Sequence, residues 1–208
     1  VTESIENKWL TEGPKSQEFL DHLREFTGSK YAVLAPNGTL GLFLGLLALE
    51  IPPGSEIIIP NFTFFASASS AIFAGLTPIF IDVDEQTFNI DVNKIESAIT
   101  SRTKAIVAQH TFGLPCNIDE IRKLADSRGL IVIEDATHAL GGFKDNKPVG
   151  SLADVSFFST DHTKTISTHL GGIAATNDHK LAEKIRKIQL QSPYLSDFNV
   201  RQILLTFM

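Results

Sequence analysis

A lysine with hydroxyl groups and histidines around it stands between two short apolar runs of the sequence. It is Lys164, in the segment SFFSTDHTKTISTHLGG, with Ser159 five residues before it and Gly171-Gly172 after it. A lysine in a partly buried loop can have a lowered pKa and attack a carbonyl to form a Schiff base. A solvated charge is the usual alternative for a lysine, and the nearby hydroxyl, the two glycines and a carboxylate one strand before raise the odds of a chemical role.

Other polar and aromatic residues follow apolar runs typical of strands. Asp135 ends LIVIED, and a buried carboxylate there needs a hydrogen bond or a cation, so it either caps a turn or faces a protonated ring nitrogen. His138 could contact the same ligand or be a satisfied core histidine. Phe64, in PNFTFFAS, either lies flat against an aromatic cofactor or packs in the core. The residues alone leave these alternatives open.

The segment Asn37-Gly38-Thr39 lies between the strand-like YAVLA and an apolar helical stretch. Glycine lets the backbone approach a ligand closely, and the free N–H groups at a helix start suit a phosphate. An ordinary N-cap by Asn37 or Thr39 is the alternative. GxxxxGK[ST], GxGxxG and GxSxG motifs are absent, and the histidines and Cys116 lack HxxxH or CxxC spacing, so we expect no bound metal.

The pattern of elements predicts an α/β fold. Continuous apolar runs such as EIIIP and LIVIED alternate with amphipathic stretches, which is typical of a mostly parallel sheet with helices on both faces. We predict seven strands, at Tyr31–Ala35, Glu56–Pro60, Pro78–Val83, Lys104–Gln109, Leu130–Asp135, Asp154–Ser159 and Gly172–Thr176. We predict six helices, at Lys15–Phe26, Thr39–Glu50, Phe64–Ala74, Val92–Ile99, Ile118–Ser127 and His179–Gln191. Ligands bind such sheets beyond the carboxyl ends of the strands, which is where the candidate residues fall.

Composition narrows the classes of function. The chain has 208 residues, 43% of them hydrophobic, and a net charge of -6 without a basic stripe, so nucleic acid is not an expected partner. Its longest apolar run, Leu40–Leu49, is half of the roughly 20 residues that cross a bilayer, so we expect no membrane span. The single cysteine and the lack of a visible signal peptide favour the cytoplasm.

Taken together and in this order, these features resemble the fold-type I pyridoxal-phosphate (PLP) aminotransferases, specifically the DegT/DnrJ/StrS family of nucleotide-sugar aminotransferases. The similarity runs from about Trp9 to Asp178 and includes the blocks YAVLAPNGTLGLFLGLLALE, PNFTFFAS, GLIVIEDATHALGG and VGSLADVSFFSTDHTK. It implies the three-layer α/β/α sandwich of the PLP-binding large domain. It also implies a homodimer, and further chain beyond this length that forms a smaller C-terminal domain.

The resemblance implies a role for each candidate residue. Lys164 would be the Schiff-base lysine and would move protons between the donor α-carbon and the cofactor. Asp135 would pair with the pyridinium nitrogen, His138 would lie near the phenolic oxygen, and Phe64 would stack on the ring. The phosphate would be held by Gly38, Thr39 and Ser159. An amino donor, expected to be L-glutamate, would supply nitrogen to a keto sugar joined to a nucleoside diphosphate, for amino-sugar or surface-polysaccharide biosynthesis.

The sequence also departs from the family pattern. Family members commonly have Ser where Asn37 stands, His at the place of Asp161, and a Gly-Glu pair where His169-Leu170 stand. Some relatives have His in place of the lysine and act as dehydratases, so the retained Lys164 favours transamination. Two alternatives stay open: another fold-type I PLP enzyme, such as a lyase or an amino-acid aminotransferase, or an inactive truncated cofactor-binding fragment.

We predict three parts of the chain. Residues 1–27 would form an N-terminal segment and helix, residues 28–191 the PLP-binding large domain, and residues 192–208 the start of a truncated C-terminal region. The apolar segment VRQILLTFM, with no stop signal after it, is the basis for expecting a fragment.

Overall fold

A computed structural model describes residues 12–192 together with Glu3, Glu6 and Asn7. The helices are α1 (Pro14–Thr27), α2 (Gly38–Ala48), α3 (Ala66–Phe73), α4 (Val92–Ala98), α5 (Ile118–Arg128) and α6 (His179–Gln191). The strands are β1 (Tyr31–Ala35), β2 (Glu56–Pro60), β3 (Thr77–Ile81), β4 (Thr103–Gln109), β5 (Ile131–Asp135), β6 (Phe143–Lys144), β7 (Lys147–Pro148), β8 (Val155–Ser159) and β9 (Gly172–Thr176). A 3₁₀ turn covers Thr111–Gly113. The C-terminal part predicted for residues 192–208 lies outside the described residues, apart from Ser192.

Seven strands form one sheet in the order β1-β9-β8-β5-β4-β2-β3. Neighbours from β8 to β3 pair in parallel, whereas β9 is antiparallel to both β1 and β8. The predicted seven-stranded, mostly parallel sheet is therefore confirmed. The short β6–β7 hairpin was not predicted, because two-residue strands are too short to produce an alternating pattern.

Side chains of the central strands alternate between two apolar cores. Ile57 and Ile59 of β2 pack with α2, α3 and α6 on one face, while Ile58 packs with α4 and α5 on the other. A third cluster packs α1 against β8 and β9. Burial on both faces explains the continuous apolar runs in the sequence, and the predicted three-layer arrangement is confirmed.

Helix ends agree with the local chemistry of the sequence at several places. Asp91 caps α4 by accepting a hydrogen bond from the Asn93 N–H, and Gly129 ends α5 with a positive φ of 63°. Helix α3 begins at Ala66, two residues later than predicted, so Phe64 lies in the loop before it. No helix among the described residues is both long and apolar enough to cross a membrane.

The antiparallel direction of β9 decides which residues meet at the ligand-binding edge. Gly172, the first residue of β9, pairs with Ala35 at the end of β1 and with Ser159 at the end of β8. A Cβ at Gly172 would lie 2.1 Å from the Asn37 carbonyl oxygen, so only glycine allows this approach. The start of α2 is thereby held beside the carboxyl ends of β8 and β5.

Candidate active site

A cavity of about 470 Å³ opens at this edge of the sheet. All seven candidate residues from the sequence contribute to its wall: Gly38, Thr39, Phe64, Asp135, His138, Ser159 and Lys164. They come from four separate segments of the chain. The tertiary structure thus brings the whole candidate set together around one space.

The first wall of the cavity is the start of α2. The Asn37 side chain is the N-cap and accepts a hydrogen bond from the Leu40 N–H at 2.9 Å. No described residue accepts a hydrogen bond from the N–H groups of Gly38 and Thr39. The helix start therefore keeps two backbone donors available, and its dipole favours an anion there.

Ser159, at the end of β8, lies against this helix start. A Cβ added to Gly38 would come within 2.9 Å of the Ser159 Cβ, so glycine permits the close approach. The Ser159 hydroxyl oxygen accepts a hydrogen bond from the Asp161 N–H at 3.4 Å. Its own proton remains available to donate. These donors form a cradle suited to a phosphate group.

Asp135 is nearly buried at the end of β5, with 6% of its surface exposed. Its Oδ1 accepts hydrogen bonds from the Thr137 N–H at 3.1 Å and from the Thr137 hydroxyl at 2.7 Å. No described residue donates to Oδ2. Burial raises the pKa of this carboxyl, against the Thr137 hydrogen bonds. Asp135 therefore caps a turn with one oxygen, as the first alternative expects, and its other oxygen has no described donor, so the pairing with a ring nitrogen stays a prediction.

The adjacent Glu134 has a different role, which sequence reasoning missed. Its two oxygens accept four hydrogen bonds, from His110 Nε2 at 3.0 Å, the Gly150 N–H at 2.6 Å, the Leu152 N–H at 3.0 Å and the Ser156 hydroxyl at 2.7 Å. Burial would raise the Glu134 pKa, but these donors outweigh it and hold the pKa below its usual value. Glu134 is an ionised structural anchor beneath the site.

His110 links this anchor to Asp135. Its Nδ1 accepts a hydrogen bond from the Cys116 N–H at 3.0 Å, so the ring proton lies on Nε2, facing Glu134, and the imidazole is neutral. The His110 N–H donates to the Asp135 carbonyl at 3.1 Å. The end of β5 is thus fixed by a buried network of polar groups.

His138 is an exposed side chain on the cavity wall and not a core histidine. Its ring is parallel to that of Phe112, at an interplanar angle of 6° and a centroid separation of 5.9 Å. Partial burial of the ring and the charge of Lys164 lower the His138 pKa, against the opposing charge of Asp135. The imidazole is therefore neutral near pH 7. Phe112 has a positive φ of 51°, which no pattern in the sequence indicated.

Phe64 also lies on the wall, and the alternative of core packing is wrong because 65% of its surface is exposed. The loop that carries it is tied to β4. The Thr63 hydroxyl donates to the Gln109 side-chain oxygen, and Gln109 Nε2 donates to the Phe62 carbonyl at 3.1 Å. Gln109 was missed by sequence reasoning, since only the folded chain places it beside this loop.

Lys164 is half-buried and lies in the turn after β8. Its backbone N–H donates to the Asp161 carbonyl at 2.9 Å. Its ammonium group makes no hydrogen bond or ion pair with any described residue. The amine is therefore unengaged and borders the same cavity as Asp135.

These groups fit PLP by their chemistry. The helix start and Ser159 offer donors for a phosphate, and the free Asp135 oxygen offers an acceptor for a protonated ring nitrogen. Lys164 offers an amine for an aldehyde, and the exposed Phe64 and His138 rings offer faces or edges for an aromatic ring. The close approach of Gly38 to Ser159, which a Cβ would prevent, places the backbone donors of the helix start beside the Ser159 hydroxyl, where one phosphate can meet both.

Comparison with known proteins defines the class. The sequence profile of the DegT/DnrJ/EryC1/StrS aminotransferase family matches residues 1–199, and the chain belongs to this family. The predicted family, fold and cofactor, PLP, are therefore confirmed, and the family is one of sugar aminotransferases.

Individual relatives are similar over most of this chain. The spore coat polysaccharide biosynthesis protein SpsC of Bacillus subtilis (strain 168) is 44% identical over 91% of this chain and 49% of its own length. A GDP-perosamine synthase of Caulobacter vibrioides is 41% identical over 92% of this chain and 52% of its own length. The PLP-form structure of Spr1654 from Streptococcus pneumoniae superposes with a TM-score of 0.84 at 28% identity, over 89% of this chain and 53% of that one. The chain spans about half the length of the curated relatives it matches.

Proposed function

We propose that the protein transfers an amino group from an amino acid, L-glutamate, to a keto sugar carried by a nucleoside diphosphate, for amino-sugar or surface-polysaccharide biosynthesis. The observation that carries the proposal is that one cavity is lined by an unengaged lysine, a carboxylate with a free oxygen and a phosphate cradle. The sugar acceptor is supported by the similarity to a GDP-perosamine synthase, and the polysaccharide context by the similarity to SpsC.

Each residue of the site would then contact a particular group of the cofactor. Bound PLP would supply an aldehyde carbon and an electron-accepting ring. Gly38 and Thr39 would donate their N–H groups, and Ser159 its hydroxyl, to the phosphate. The free Asp135 oxygen would accept a hydrogen bond from the ring nitrogen and keep it protonated.

Lys164 would hold the cofactor and then act as the base and acid. Its amine would take the proton from the α-carbon of the amino donor, and it would return a proton in the second half of the reaction. The absence of a competing ion pair among the described residues leaves its lone pair accessible after deprotonation. His138, neutral near pH 7, would donate or accept a hydrogen bond at the phenolic oxygen.

The proposal extends to the whole protein that carries this sequence. A homodimer is proposed on the basis of the family resemblance. The cytoplasm is the proposed compartment, since a lone buried cysteine gives the chain no internal disulfide. The predicted division at residues 27/28 and 191/192 stays a proposal.

Lys164 is tested by reduction with borohydride after addition of PLP, followed by peptide mapping. We expect the label on Lys164, and no label on this peptide in Lys164→Ala. Lys123→Ala, which removes an exposed lysine of α5 outside the cavity, is the control and should keep the label. If Lys164→Ala took up as much borohydride-fixed label as the unchanged protein, the assignment of Lys164 as the cofactor-binding lysine would be overturned.

The acceptor is tested by comparing keto sugar nucleotides with simple keto acids, each with L-glutamate as donor. We expect turnover with the sugar nucleotides to exceed turnover with the keto acids. Turnover with keto acids alone would replace the sugar acceptor with an amino-acid aminotransferase activity. A labelled Lys164 with no turnover on either class would support the cofactor-binding role without the reaction.

A further inference from the structure

Asp161 lies at the first position of the turn that leads to Lys164. Its backbone carbonyl accepts the Lys164 N–H at 2.9 Å. Its Oδ1 accepts both the N–H and the hydroxyl of Thr163, each at 3.2 Å. This is a β-turn closed by its backbone and reinforced by an aspartate side chain at its first residue.

The turn depends on Asp161 within the described chain. The N–H groups of Thr163 and Lys164 both donate to Asp161 and to no other described residue. The His162 Nδ1 also lies 3.1 Å from Oδ1. The Thr163 backbone hydrogen bond lowers the Asp161 pKa, so the side chain is an ionised acceptor at neutral pH.

Asp161 also connects the turn to the phosphate cradle. Its N–H donates to the Ser159 hydroxyl oxygen at 3.4 Å, and its side chain, 33% exposed, borders the same cavity as Ser159 and Lys164. Asp161 therefore connects the Ser159 hydroxyl, which is proposed to hold the phosphate, with the backbone of Lys164, which is proposed to meet the aldehyde. The distance between those two groups must match the cofactor for both to engage it.

We propose that Asp161 is a positioning residue, which fixes the backbone of Lys164 relative to Ser159 through its side-chain acceptor. The inference rests on the proposed role of Lys164. It assigns a task to a position at which the sequence departs from the common family pattern. Because the task is to accept hydrogen bonds, an asparagine can perform it and an alanine cannot.

The test uses the purified protein with PLP as the probe and measures two quantities besides turnover. One is the rate at which the borohydride-fixed label appears on the Lys164 peptide. The other is the equilibrium affinity for PLP, measured by dialysis. Asp161→Ala should slow labelling about tenfold, since it removes two side-chain hydrogen bonds from the turn, whereas Asp161→Asn should stay within about twofold of the unchanged protein.

Asp178→Ala is the matched control. Asp178 caps α6 by accepting the N–H groups of Lys180 and Leu181, and it does not border the cavity. Like Asp161→Ala, this variant removes an aspartate that accepts local backbone hydrogen bonds, but at a position away from the cavity. It should therefore lower thermal stability without slowing the labelling of Lys164. Thermal unfolding of all variants identifies any that fail to fold. If Asp161→Ala fails to fold, Thr163→Val serves as a milder variant, because it removes only the hydroxyl donor to Asp161, and it should slow the labelling of Lys164 by a smaller factor.

The outcomes separate this inference from the proposed function. No label on Lys164 in the unchanged protein would refute the proposed function itself. Normal labelling in the unchanged protein with equal slowing in Asp161→Ala and Asp161→Asn would show that charge and not hydrogen bonding matters, and would overturn the positioning role. Equal labelling in Asp161→Ala and the unchanged protein would overturn it as well.

Discussion

Replacing Gly38 by alanine should weaken the binding of PLP while the fold survives. The new Cβ would stand 2.9 Å from the Ser159 Cβ and 3.3 Å from its hydroxyl oxygen. Carbon atoms prefer about 3.5 to 4.0 Å, so Ser159 or the start of α2 must move by roughly 0.6 to 1 Å. The backbone of Gly38 has helical geometry, so the strain comes from this contact and not from its φ angle.

The expected magnitudes follow from this contact. Overpacking costs about 1–3 kcal/mol of unfolding free energy, and the better helix propensity of alanine offsets up to about 1 kcal/mol of it. We therefore expect a net loss of stability of about 0–3 kcal/mol. A displaced Ser159 hydroxyl loses its hydrogen bond to a charged phosphate, worth about 1.5–3 kcal/mol, which corresponds to a roughly 10- to 150-fold weaker affinity.

Equilibrium dialysis measures the affinity for PLP, and urea unfolding measures the stability. Gly45→Ala is the control in the same helix, because its new Cβ would meet the Val155 side chain at an ordinary 3.4 Å. It should leave the affinity unchanged. An unaltered affinity in Gly38→Ala, or an equal loss in Gly45→Ala, would refute the phosphate cradle.

Three further predictions test the buried groups. Asp135→Asn should stabilise the cofactor-free protein at pH 7, because the raised native pKa means that the wild-type loses stability as the pH rises above the ordinary carboxyl value of 3.8. With PLP bound, turnover should fall at least about a hundredfold. Unchanged stability would count against the raised pKa, and unchanged turnover would count against the pairing. Glu134→Gln should lower the free energy of unfolding in urea by about 3–5 kcal/mol at pH 7, because the NH₂ group of the new side-chain amide would face groups that are themselves hydrogen-bond donors. The difference should shrink below pH 4.5, since a lowered native pKa gives stability that is lost in acid, and a constant difference down to pH 2 would contradict an ionised Glu134. The Cys116 thiol, whose pKa burial raises, should not react with Ellman's reagent in the native protein and should react once per chain after unfolding; rapid native reaction would contradict its burial.

Most of the sheet could be predicted because its signals are local. Apolar runs of five or more residues mark strands buried on both faces, and residues such as Gly129 and Asp91 mark helix ends through their own backbone or side chain. The start of α3 was predicted two residues too early. Phe64 and Phe65 extend the apolar periodicity into a loop whose path is set by hydrogen bonds to Gln109, from a distant strand.

The candidate residues could be named because strand ends and helix starts are visible in the sequence. What each one contacts could not be predicted. The sequence left Phe64 between core and cofactor and Asp135 between cap and ligand. The fold places Phe64 outside the core, and it shows that Asp135 caps a local turn with one oxygen while the residue also borders the cavity. Their roles in the reaction stay predictions for the experiments above.

The order of residues alone determined an α/β chain with polar groups at strand ends and a lysine among hydroxyls, since periodicity and turn chemistry depend on near neighbours. Only the tertiary structure decided that β9 is antiparallel, which brings Gly172 between Ala35 and Ser159 and closes the cradle. It likewise decided that Glu134 is an anchor while its neighbour Asp135 faces the cavity. The physical reason is that adjacent residues of a strand face opposite sides of a sheet, and their environments are set by elements far away in the chain.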